Sequence, residues 1–121
     1  MSVRSQAFTI AGSTSVEVAD AGIQSVSGEN PKTLLRVDIS VSAWNAAEVK
    51  GFVGQTQVDG GYDSDFRGYA AIASMTDANA IQRPGFTPNR ALDIGNPYQV
   101  AVSPTATATS IRGSYIYEQA E

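Results

Sequence analysis

Residues 33–43, T-L-L-R-V-D-I-S-V-S-A, alternate strictly: Leu35, Val37, Ile39, Val41 and Ala43 fall on one face, and Arg36, Asp38, Ser40 and Ser42 on the other. A two-residue period over that length marks an antiparallel strand with one face in a core and one in water. The core material agrees with it. Val occurs eleven times and Leu three, with Ala, Ser, Thr and Gly abundant. Branched, small and hydroxylated side chains suit pleated surfaces and tight turns, and suit long helices poorly. The chain is predicted to be all-β, and an all-helical bundle is excluded.

Other segments fill in that class. Residues 6–10 and 15–18 read as short strands, with Phe8, Ile10, Val16 and Val18 facing inward and A-G-S at 11–13 as the turn between them. Asp20-Ala21-Gly22 is a second turn, and a weak strand follows at residues 23–26. Residues 49–58 read as one bent strand, because Gly51 and Gly54 inside it suggest a bulge or a close backbone approach. D-G-G-Y-D-S-D at residues 59–65 is the best hairpin signal in the chain. Residues 66–75 are apolar or small on both faces, which implies cover on both sides. Residues 76–97 break the pattern with Pro84, Pro88, Pro97, Gly85 and Gly95, and residues 77–82 there suit one helical turn. Connections of that length are rare in a compact domain unless they bind or are bound. Residues 98–103 and 105–118 close the chain. Seven or eight short strands with a turn about every ten residues predict one antiparallel β-sandwich, jelly-roll-like, over residues 1–121.

Composition removes several function classes. The chain has no Cys and no His, so disulfides, thiolate nucleophiles, Ser-His-Asp sites and Cys- or His-ligated zinc are unavailable within it. Its net charge is −4, with two lysines and six scattered arginines. Nucleic-acid binding needs a basic stripe to displace counterions, and there is none. Asp38, Glu48, Asp59 and Asp93 could in principle supply a carboxylate pair, but nothing in the sequence pairs any two. The chain is expected not to be an enzyme. It shows no signal-peptide core and no segment of transmembrane length, so synthesis in the cytoplasm without membrane insertion is expected.

Three sets of residues are candidates for binding. Asp59, Asp63 and Asp65 can offer oxygen ligands to Ca²⁺ from one loop, with Gly60-Gly61 permitting the bend. Asp and Gly are also what a hairpin turn selects, and that is the preferred reading. Trp44, Tyr115 and Tyr117 could form an aromatic strip for a sugar, or sit at the core edge with wet hydroxyls. Phe86, Arg90 and Leu92 ride on the proline-rich loop, where pre-ordering and residue type favour an interface.

The closing run T-A-T-A-T-S-I-R-G-S-Y-I-Y-E, residues 105–118, and the alternating strand at 33–43 look like the long strands that end and centre small jelly rolls. In that style the chain resembles the single-jelly-roll capsid and decoration proteins of prokaryotic viruses. The resemblance implies a self-assembling virion subunit, with copies of itself and other virion proteins as partners. It packs by sheet edges, loops and termini, with no cofactor. The alternative is a carbohydrate-binding or adhesion β-sandwich, with a glycan as partner and one structural Ca²⁺.

Overall fold

The computed structural model describes residues 2–69 and 83–120. The strands among them are β1 Ser2–Ile10, β2 Val18–Ala19, β3 Lys32–Val41, β4 Glu48–Val53, β5 Thr56–Tyr62, β6 Arg67–Gly68, β7 Gly85–Phe86, β8 Arg90–Ala91, β9 Tyr98–Val102 and β10 Ile111–Gln119. They form two antiparallel sheets. The first runs β1-β10-β3, with β6, β7 and β8 docked separately along the far side of β3; the second runs β2-β9-β4-β5. Among the described residues the parallel contacts are the two-residue pairing of β6 with β3 and a single bridge of Phe66 with Arg83. Phe8, Ile10, Val37, Ile39, Val41, Ile111 and Tyr115 from the first sheet share one core with Val49, Tyr98, Val100 and Val102 from the second. The all-β expectation holds.

The alternating segment is β3, buried at Val37, Ile39 and Val41 as its period requires. Its period breaks nearer the start. Arg36 stands opposite Ile116 and Leu34 opposite Tyr117, so Leu35 has no partner on β10. One extra residue on a strand is a β-bulge, and it resets which side chains point inward. Leu34 is therefore fully buried, while Leu35 is half-buried. The inward assignment of Leu35 is corrected, and Ala43 lies past the strand end, half-buried.

Residues 49–58 are two strands and not one. Val53 pairs with Thr56, which makes Gly54-Gln55 a two-residue hairpin loop. Gly54 has φ +62°, the left-handed geometry that such loops need. Gly51 answers to close approach: a Cβ there would overlap the Tyr98 hydroxyl. The chain stays extended through the expected turn at Asp59-Gly60-Gly61 as β5, and then makes one 3-10 turn over Asp63–Asp65.

Shorter expectations fare unevenly. The strand at 15–18 shrinks to β2, and Val16 is exposed, not inward. Ile23 is buried through a single bridge to Tyr98. Phe66 is buried and β6 follows it, but residues 70–75 of the two-sided strand lie outside the described residues, as do 76–82 with their helical turn. Residues 83–97 form no free loop, because β7 and β8 within them are a broken strand along β3.

The bulge makes a direct prediction. Leu34→Ala is expected to destabilise by about 3 kcal/mol, as for other buried leucines. Leu35→Ala should stay below about 1 kcal/mol. Urea midpoints of the two variants check this, and equal shifts would place both side chains alike.

Candidate functional site

The three predicted calcium ligands have separate roles. Asp63 opens the 3-10 turn after β5 and is fully buried. Its Oδ2 accepts hydrogen bonds from the backbone N–H of Asn45 at 2.6 Å and of Ala47 at 3.2 Å, and from the Thr109 hydroxyl at 2.9 Å. Its own N–H donates to the Ala47 carbonyl at 2.8 Å. Ala46, between the two donors, sits at φ +61°, a conformation that costs a residue with a Cβ roughly 1–2 kcal/mol. Oδ1 is buried with no partner among the described residues. Asp59 accepts from the Tyr98 hydroxyl at 2.7 Å, and Asp65 accepts from the Tyr62 N–H at 2.9 Å. Among the described residues no three acidic side chains are grouped to hold a metal ion.

The aromatic strip is dispersed. Tyr115 is fully buried, stacked on Phe8 at 4.6 Å and edge-on to Tyr98 at 6.2 Å. Its hydroxyl donates to Asp20 at 2.8 Å and accepts from the Val100 N–H at 3.2 Å. Trp44 is half-buried beyond the end of β3, with its indole N–H on the Phe66 carbonyl at 3.1 Å. Tyr117 is half-buried opposite Leu34, with the Lys32 ammonium 5.8 Å from its ring. Leu34 lies near one end of β3 and Trp44 beyond the other, so most of the strand's length separates Trp44 from Tyr117. The three rings form no common surface.

Of the expected interface residues only Arg90 reaches solvent. Phe86 is 1% exposed and packs edge-on against Phe66 at 5.6 Å. Leu92 is buried, and its N–H donates to the Lys32 carbonyl. Arg90 is half-buried and lines a small pocket with Asp59 and Thr87.

A cleft of about 440 Å³ that sequence reasoning missed opens beside β3, lined by Asp38, Ile39, Ser40, Arg67, Arg83 and Pro84. It exists because β6 brings Arg67 to the edge of β3, while Arg83 is held beside it by a bridge to Phe66 and by Pro84, whose carbonyl accepts from the Ile39 N–H. The Arg83 guanidinium lies over Phe66 and Phe86 at 5.5 and 5.2 Å and donates to the Gly60 carbonyl at 3.0 Å. Two arginines and a serine hydroxyl suit an anion. Asp38, the one lining carboxylate among the described residues, is paired with Arg36 at 3.2 Å. Arginines spaced this far apart in the chain give no local signal. Comparison of the chain with models of protein families, with curated proteins and with solved structures found no match.

Two predictions follow from the buried polar groups. Asp63→Ala strands two backbone donors and a hydroxyl and is expected to destabilise by about 3 kcal/mol or more. Asp63→Asn keeps an acceptor and should be milder, so urea unfolding that ranks them equally would dismiss the hydrogen bonds as the cause. Burial, reinforced by the Asp59 hydrogen bond at Tyr98 and the Asp20 bond at Tyr115, pushes both phenols well above their ordinary value of 10.0. Both are thus held neutral more firmly in the fold than in the unfolded chain. The stability this contributes is whole below pH 10 and is lost as pH rises past it, by about 1.4 kcal/mol per pH unit for each group. Unfolding measured from pH 9 to 11 should steepen accordingly, and Tyr98→Phe should remove about 1.4 kcal/mol per unit of that slope. An unchanged slope would mean that Tyr98 ionises in the fold as readily as in water.

Proposed function

We propose that this chain is a non-catalytic, self-assembling structural subunit of a virus particle, built as a single jelly roll. The observation that carries the reading is nested pairing: β1 with β10, β2 with β9, β3 with β7 and β8, and β4 with β5. A long two-stranded ribbon pairs in this way. Rolling it up adds the contacts of β10 with β3 and β9 with β4. Strands β1 to β4 then alternate between the sheets, β5 stays with β4, β6 to β8 return to the first sheet, β9 crosses to the second and β10 to the first. This order supports the jelly-roll reading, and such domains serve viral capsids and lectins. Of those two roles, the lectin role has less behind it, since Tyr115 is inside the core and Trp44 and Tyr117 lie apart.

The decisive experiment is solution mass by light scattering over a concentration series. A stable trimer, pentamer, hexamer or larger shell is expected. A monomer at the highest concentration would overturn the assembly reading and return the glycan-binding module to first place.

A further inference from the structure

The sheet edges of this molecule are not alike. The far side of β3 is covered by β6, β7 and β8. β2 offers only two residues. β5 breaks register next to Val58 and carries Asp59, Gly60 and Gly61, features that twist and charge an edge against pairing. β1 has none of these guards. It runs nine residues, S-V-R-S-Q-A-F-T-I, without Pro, Gly or Lys, and its register with β10 is unbroken. Among the described residues β10 lies on one side of it and no strand on the other. Residues 3–7 are exposed on both faces of the strand, Val3 by 61%. A long, regular, unguarded edge offers a row of backbone donors and acceptors to another strand.

We infer that the outer edge of β1 pairs antiparallel with β1 of a second copy, fusing two first sheets across a two-fold axis. This rests on the assembly reading and names its contact. An antiparallel pair of identical strands is self-complementary, since each donor of one meets the matching acceptor of the other. Side-chain chemistry fits the same axis. Centred on Gln6, the pairing sets Val3 against Thr9, Arg4 against Phe8 and Ser5 against Ala7. Arg4 is the strand's sole charge, so no like charges face each other, which is the arrangement that would oppose pairing. A chain of net charge −4 thus meets its copy along a segment that carries no acidic residue.

The absence of native cysteine makes the test clean. Single variants Val3→Cys, Ser5→Cys, Gln6→Cys, Ala7→Cys and Thr9→Cys are oxidised in the assembled protein, with Ser27→Cys in an exposed loop as the background. A sharp maximum of disulfide dimer at Gln6, at least tenfold over Ser27→Cys, is expected. A maximum at a neighbouring β1 position supports the same pairing with its axis moved. Uniform cross-linking along β1 means parallel, in-register stacking and overturns the two-fold contact. Ser5→Lys with Ala7→Lys, both at exposed positions, should lower the association constant at least tenfold and leave the circular dichroism of the monomer unchanged. If the wild-type protein is oligomeric yet shows a flat profile and no response to the lysines, the β1 contact fails while the assembly reading stands. A wild-type monomer at every concentration removes both.

Discussion

The Asp63 carboxylate holds together three of the connections by which the chain changes sheets. Residues 45–47 lead from β3 in the first sheet to β4 in the second, and Asp63 itself leads from β5 back to β6. Thr109 stands just before β10. One buried oxygen accepts from the first and last of these segments while its own backbone belongs to the second. A buried carboxylate is tolerable only when donors surround it, and here the donors are the groups that an irregular corner would otherwise leave unpaired. The left-handed Ala46 lies inside this clamp, so the strain of the corner is offset by the bonds on either side of it.

The core is built around few large side chains. With three leucines in the chain, Tyr98, Tyr115, Phe8, Phe66 and Phe86 fill volume that Val cannot. Two of those five bring hydroxyls inside, and each hydroxyl needs an acceptor. Asp59 on β5 and Asp20 after β2 supply them: the Tyr115–Asp20 bond ties the first sheet to the second, while the Tyr98–Asp59 bond braces β9 against β5 within the second. The missing Cβ of Gly51 leaves room for the Tyr98 hydroxyl to reach Asp59.

Much of this was legible in the chain, and the failures have physical causes. Alternation over Val37, Ile39 and Val41 is a face-of-strand signal that tertiary context cannot easily override. The bulge at Leu35 inserts a residue without altering composition, so unbroken alternation points Leu35 inward where the structure turns Leu34 there. Asp59-Gly60-Gly61 carries turn residues, yet Gly54 made the tighter turn because it alone sat between strands able to pair across two residues. Phe86 resembled a surface anchor because a two-residue strand is too short to show a period, and β3 supplies the order that its own sequence lacks. Arg67 and Arg83 were invisible as a pair, since only their common docking on β3 brings them to one cleft.

Sheet order also sets a sequence of events in time. In the first sheet β10 lies between β1 and β3, and it leaves the ribosome after every other described strand. Until then β1 has no neighbour to zip against, and β3 is open along its longest contact. Distant pairing of this kind folds slowly, because the connecting chain must be closed before any contact rewards it. It also means that a chain interrupted before residue 111 cannot present β1 as an ordered edge. Order along the β1 edge is thereby the last feature of the first sheet to form, and it depends on the final stretch of the chain.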